Sequence, residues 1–123
     1  MLLLAGCGGQ STLGPKALQQ EASSLQSLAA EGGLLASDAA RGRSTAVFVR
    51  IHGAELAKTA QASATLLAKS EGSDAHRLAA LGVRITGELD RLSHSGSNRR
   101  QQRRLAAELN RAAAQAEKLG ARL

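Results

Sequence analysis

Apolar residues recur every three or four positions from residue 16 to the end of the chain, which is the spacing of an amphipathic α-helix. Turn residues interrupt this pattern and divide the chain into helices predicted at 16–41, 44–70, 74–93 and 98–121. Because the predicted connections are only about two to four residues long, neighbouring helices are expected to run antiparallel. The pattern therefore predicts an all-α fold, an antiparallel up-down four-helix bundle.

Two adjacent glycines, Gly32 and Gly33, fall inside the first predicted helix. Each weakens a helix by about 1 kcal/mol relative to alanine, so we predict a kink or a break near 32–33. Pro15 suits the start of this helix, and Ser73 and Ser97 suit the N-cap positions of the third and fourth helices. In the second helix the spacing predicts a core face made of Phe48, Ile51, Leu56, Thr59, Ala62, Ser63 and Leu66.

The first residues of the chain form an apolar run that ends in small residues and then a cysteine: Leu4, Ala5, Gly6 and Cys7. This segment resembles the lipobox of bacterial lipoproteins, and Cys7 is the only cysteine in the sequence. The resemblance implies that the Cys7 thiol carries a diacylglycerol as a thioether. It also implies that a peptidase cuts before Cys7, which then becomes the first residue of the mature chain.

The same resemblance implies a domain organisation. Residues 1–6 are the remnant of a signal peptide, 7–15 hold the lipidated cysteine and a flexible linker rich in small residues, and 16–123 form the bundle. A secretory signal needs basic residues and an apolar stretch of about 7–15 residues, so we expect the complete signal to begin upstream of Met1. In Gram-negative lipoproteins, Asp directly after the lipidated cysteine is the signal for retention in the inner membrane. Here that residue is Gly8, so the resemblance implies no such signal. The expected location is the extracytoplasmic side of a bacterial membrane, in the cell envelope.

Aromatic residues are almost absent: Phe48 is the single one. We therefore expect a core of leucine packed against alanine and glycine, and we attribute Gly82 and Gly87 to close helix packing. The scarcity of rings argues against sites that depend on ring stacking, including most single-stranded nucleic-acid sites. The sequence also lacks a Ser-His-Asp pattern, a glycine-rich phosphate loop and a Cys/His metal motif, so we expect a non-enzymatic protein without a cofactor other than the lipid on Cys7.

The formal charge of +6 is unevenly distributed, since residues 97–123 hold seven basic residues and two acidic ones. Arg99, Arg100, Arg103 and Arg104 lie in the first turns of the predicted fourth helix, where cations oppose the helix dipole. Residues four positions apart in this cluster also repel each other. Both effects lower the stability of the helix start. Because an anionic partner would offset them, the cluster favours binding to lipid headgroups or to a wall polymer. The alternative is a solvated face that keeps a small domain soluble.

His52 and Glu55 are three residues apart, so both point toward the predicted apolar face of the second helix. They are candidate ligands for a metal, or an acid/base pair, inside the bundle. The alternative is a hydrogen-bonded polar pair at the edge of the core. Glu88 also falls close to an apolar face, and we expect it to form an ion pair with His52, Arg84 or Arg91.

Three functional hypotheses follow. The favoured one is a membrane-anchored lipoprotein whose bundle is an interaction or scaffold module for an unknown protein partner or an anionic surface. The second is a metal- or small-molecule-binding bundle that uses His52 and Glu55. The third treats the lipobox as a chance match and the chain as a cytoplasmic, basic nucleic-acid-binding module. The third has the weakest support because the sequence contains no recognisable nucleic-acid-binding motif.

Overall fold

The computed structural model describes residues 13–123, so Cys7 and the lipobox-like segment lie outside the described residues. Helices α1 (Pro15–Ala40), α2 (Ala46–Ala68), α3 (Ser73–Ser93) and α4 (Arg99–Ala121) account for nearly all of this range, which contains no strand. The predicted all-α, four-helix fold is confirmed, and each observed helix end lies within two residues of its predicted position. None of these helices is long and apolar enough to cross a bilayer.

The helices pack as two close antiparallel pairs, α1 with α4 and α2 with α3. Smaller interfaces join α1 to α2 and α3 to α4, and α1 also touches α3 across the diagonal of the bundle. Hydrogen bonds between α1 and α2 show that they run antiparallel. Glu21, early in α1, accepts from Ser63, late in α2, and Glu31, later in α1, pairs with His52, early in α2. The helix ends therefore alternate, with the start of α1 at one end of the bundle and the start of α4 at the other.

The helix starts partly differ from their predicted caps. Pro15 begins α1, as expected. The α4 cap is Asn98, whose side chain accepts a hydrogen bond from the Gln101 amide at 3.0 Å, so the assignment of Ser97 was wrong. Before α3 the cap position belongs to Gly72 at φ +108°, and Ser73 is already the first helical residue. Glycine takes this position because side chains rarely tolerate such a backbone conformation.

The predicted break near 32–33 is wrong, because α1 is one continuous helix from Pro15 to Ala40. Both glycines are buried against other helices. Gly32 lies under Leu89 of α3, and Gly33 lies under Asn110 of α4, each so close that a Cβ would collide with the facing side chain. The intrinsic helix penalty of glycine is offset here by the close packing that its missing side chain permits.

The predicted core face of α2 is also wrong in part. Phe48, Ile51 and Leu66 are exposed by 53%, 53% and 45% of their surface. The buried face instead consists largely of small residues: Val49, Gly53, Leu56, Ala57, Ala60, Ser63, Ala64 and Leu67. This rotation brings Gly53 against Ser93 and lets α2 and α3 approach closely. Close approach over small side chains, rather than burial of the largest ones, sets the orientation of α2.

The two glycines in the middle of α3 provide a test of this packing. A methyl group on Gly82 would lie 2.9 Å from the Ala64 Cβ and 3.3 Å from its Cα. We expect Gly82→Ala to lower the free energy of unfolding, because overpacking costs about 1–3 kcal/mol and the gain in helix propensity is only about 1 kcal/mol. Urea unfolding followed by circular dichroism measures the change.

Gly87→Ala is the matched control in the same helix. Close helix packing was predicted at Gly87, and this was wrong, since the nearest atom to an added Cβ is an Arg91 nitrogen at 3.7 Å. This substitution should raise the free energy of unfolding by about 1 kcal/mol. Equal effects of Gly82→Ala and Gly87→Ala would contradict a tight α2–α3 interface.

Candidate functional site

The four arginines predicted as an anionic-surface site lie together at one end of the bundle. Arg99, Arg100, Arg103 and Arg104 occupy the first turns of α4, and all are exposed. The α1–α2 loop lies at the same end, and the Arg99 guanidinium lies beside Gly42 of that loop. The start of α1, and with it the attachment to the N-terminal segment, is at the opposite end.

The α1–α2 loop adds two further exposed arginines, Arg41 and Arg43, to this cluster. Neither was predicted to belong to the cluster, because both are more than fifty residues away from it along the chain. We call the six arginines the basic end: Arg41, Arg43, Arg99, Arg100, Arg103 and Arg104. None forms an ion pair with a carboxylate among residues 13–123. The basic end therefore carries positive charge that the described part of the chain does not neutralise.

Local hydrogen bonds hold the start of α4 in place. Gln102 is almost fully buried, and its side-chain amide donates to the Ser95 hydroxyl at 3.0 Å and to the Gly96 carbonyl at 2.9 Å. Gly96 turns the chain with φ +56°, and the Asn98 side chain caps the helix. These contacts fix the α3–α4 loop, so the arginines project from an ordered helix terminus.

His52 and Glu55 do not face the bundle interior, so the expected orientation was wrong, and the alternative of a hydrogen-bonded polar side chain at the edge of the core describes His52. His52 lies at the edge of the α1–α2 interface with 28% of its side chain exposed, and Glu55 is 73% exposed. The His52 Nε2 donates to Glu31 of α1 at 2.7 Å, a partner that the sequence did not predict. The Phe48 ring stacks on the imidazole with the ring centroids 5.3 Å apart. The pair thus belongs to a polar contact between α1 and α2.

Metal binding at this position remains a prediction. Within residues 13–123 no group of three or more His, Cys, Asp or Glu side chains is arranged to hold a metal ion. The Glu55 Oε1 lies 3.9 Å from the His52 Nδ1, while the His52 Nε2 is hydrogen-bonded to Glu31. The other histidines, His76 and His94, are exposed.

Glu88 is the buried acid of the bundle, with 3% of its surface exposed. It pairs with Arg84 at 3.4 Å, which confirms one of the expected partners. Its Oε1 atom has no hydrogen-bond partner among the described residues. Burial raises the pKa of the Glu88 carboxyl group, the contact with Arg84 opposes this rise, and the charge of Glu108 adds to it.

The raised pKa of Glu88 makes stability depend on pH in a defined direction. The folded protein holds this proton to a higher pH than the unfolded chain, so the free energy of unfolding falls as pH rises from the ordinary glutamate pKa through the raised one. Glu88→Gln removes this titration. We expect the variant to gain stability relative to the wild type as pH rises, measured by urea unfolding at a series of pH values.

Glu71→Gln, at an exposed position, controls for the loss of one negative charge. Glu71→Gln should change the free energy of unfolding by nearly the same amount at every pH. A Glu88→Gln variant that instead loses stability relative to wild type as pH rises would show that the ion pair with Arg84 outweighs the cost of burial.

Comparison with protein-family models, with curated proteins and with solved structures finds no match to this chain. Its function must therefore be argued from its own side chains. Among the described residues the strongest chemical feature is the concentration of cations on α4 and the α1–α2 loop. His52 pairs with Glu31, and the buried Glu88 pairs with Arg84. These contacts within the bundle account for both polar groups without an external ligand.

Proposed function

We propose that this protein is a bacterial lipoprotein that is anchored through Cys7 and acts in the cell envelope as a non-enzymatic interaction module. The lipobox-like segment at 4–7 supports the anchor. The basic end supports the interaction, because it supplies a binding surface for an anionic partner. The observation that carries this proposal is the group of exposed arginines at the start of α4, which have no carboxylate partner among residues 13–123.

The energetics of α4 favour a partner at this position. Its first turn contains no acidic residue, although the positive end of the helix dipole would stabilise one. Arg99 and Arg103 are four residues apart, as are Arg100 and Arg104, so each pair repels along the helix. Such an arrangement costs folding stability, and an anion that neutralises the arginines recovers this cost on binding.

The topology gives the two functional parts of the chain opposite positions. A lipid on Cys7 attaches eight residues before Pro15, at the end of the bundle where α1 begins. Helix α1 has 26 residues, so the basic end lies about 39 Å from that attachment. The bundle then presents its arginines away from its own anchor, toward an anionic partner deeper in the envelope or on a facing surface.

Lipidation is tested by metabolic labelling with an alkyne fatty acid in the bacterium that encodes the protein, with the gene expressed from its own locus. We expect the wild-type protein to carry the label and to sediment with membranes. Cys7→Ser should abolish both, because a hydroxyl group does not replace the thiol in thioether formation. Label incorporation is measured by in-gel fluorescence.

The matched control moves the cysteine rather than removing it. Cys7→Ser combined with Ser11→Cys keeps one thiol in the same segment but separates it from Leu4, Ala5 and Gly6. This variant should also remain unlabelled. Equal labelling of the two cysteine positions, or no label on the wild type, would overturn the lipoprotein proposal.

A further inference from the structure

The cations of α4 extend well beyond the basic end. Arg100, Arg104, Arg111, Lys118 and Arg122 are separated by four, seven, seven and four residues, and all are exposed. At 3.6 residues per turn these spacings place them within about 40° of one another around the helix. They form one row along the whole of α4, with a length of about 33 Å.

A second row of cations lies on α3, beside the first. Arg77, Arg84 and Arg91 follow each other at intervals of seven residues and are exposed, so they share one face of the helix. Arg84 reaches across to α4, because its guanidinium donates to Gln115 at 3.3 Å and lines one cleft with Arg111, Lys118 and Arg122. The two rows therefore flank the depression between α3 and α4, which we call the α3–α4 groove.

The α3–α4 groove is recessed and basic. One cleft of about 450 Å³ is lined by Arg84, Arg111, Lys118 and Arg122, together with Gln115 and other uncharged residues. A second cleft of about 280 Å³ shares Arg84 with the first and reaches Arg77. Neither lining includes a carboxylate. The two clefts together form a positively charged depression along the bundle.

The acids near the groove neutralise little of this charge. Asp74 pairs with Arg77 at 3.8 Å, and the buried Glu88 pairs with Arg84. Glu108 is half-buried on α4. The remaining cations of the two rows form no ion pair among residues 13–123: Arg91, Arg100, Arg104, Arg111, Lys118 and Arg122.

We infer that the α3–α4 groove binds a single linear polyanion, a chain of phosphodiester-linked polyols. This inference rests on the proposed function, because it names the anionic partner of the envelope module and adds its binding site. Seven of the eight cations in the two rows are arginines, whose planar guanidinium groups bind phosphate through paired hydrogen bonds. Cations that recur every four to seven residues along α4 are about 6–10 Å apart, so a flexible phosphodiester chain can contact them in succession.

The other residues disfavour different anionic partners. Membrane-binding helices combine cations with exposed large apolar side chains, whereas the exposed ones here, such as Phe48, Ile51 and Val83, do not line the α3–α4 groove. Single-stranded nucleic acids bind through stacked aromatic rings, and Phe48 of α2 is the only ring of that kind in the chain.

The test uses the full chain and synthetic glycerol-phosphate oligomers of increasing length, with binding measured by calorimetry at several salt concentrations. Affinity should rise with oligomer length and reach a plateau once the oligomer spans the row of cations on α4, about 33 Å. The variant Arg111→Gln/Lys118→Gln/Arg122→Gln should bind at least tenfold more weakly. Its slope of log affinity against log salt should decrease by about 2–3, because each lost phosphate contact removes about 0.7–0.9.

The control Arg50→Gln/Lys58→Gln/Lys69→Gln removes the same charge from exposed positions on α2 and at its C-terminal cap. It should retain the affinity and the salt slope. If both triple variants bound the oligomer equally weakly, the attraction would be to net charge alone, and the proposed binding site in the α3–α4 groove would be overturned. Stronger, groove-dependent binding to phosphatidylglycerol vesicles or to duplex DNA than to the oligomers would overturn the choice of polymer.

A pair of double variants separates the groove from the basic end. Arg100→Gln/Arg104→Gln changes the row on α4, whereas Arg99→Gln/Arg103→Gln changes the neighbouring face of the same turns. The first should weaken oligomer binding clearly more than the second, because only Arg100 and Arg104 belong to the row that flanks the α3–α4 groove. Equal weakening by the two would place the anion at the basic end, which overturns the groove but leaves the proposed function standing. Failure of the lipid labelling at Cys7, with groove binding intact, would overturn the proposed function instead.

Discussion

The fold depends on the close approach of helices over small side chains. The core contains no aromatic residue, since Phe48 lies on the surface, and leucines pack against alanine and glycine instead. Leu89 lies over Gly32, and Ala64 lies against Gly82. Because each small residue buries little apolar area, many short-range dispersion contacts must supply the stability, and these require short distances between helices. The same requirement explains why α1 and α3 touch across the diagonal of the bundle.

This packing has consequences for the surface. When the face of α2 that holds Gly53, Ala57 and Ala60 turns inward, the larger side chains of Phe48 and Ile51 are left outside. The helices whose outer faces carry most of the arginines, α3 and α4, are connected antiparallel neighbours. Their two rows of cations therefore flank one groove, and the repulsion between them is a cost that the packed core must offset.

A single buried contact connects the core to the groove. Glu88 lies inside the bundle, and its partner Arg84 extends from it to the lining of the groove and to Gln115. Burial favours the neutral carboxyl group, whereas the ion pair favours the charged one. Protonation of Glu88 therefore releases Arg84 from its carboxylate partner, so the charge available in the groove depends on an acid that is itself shielded from solvent.

The sequence by itself determined the number of helices, their approximate ends and the all-α class, because these follow from local periodicity and from turn residues such as Gly42, Gly72 and Gly96. It also indicated that the arginines of α4 were the main charged feature. Only the tertiary structure decided that Gly32 lies inside a continuous helix, that Ile51 faces outward, and that Arg84 lines a cleft with cations of α4. The physical reason is that the rotation of a helix about its axis is decided by the shape of its neighbours, which come from distant parts of the chain.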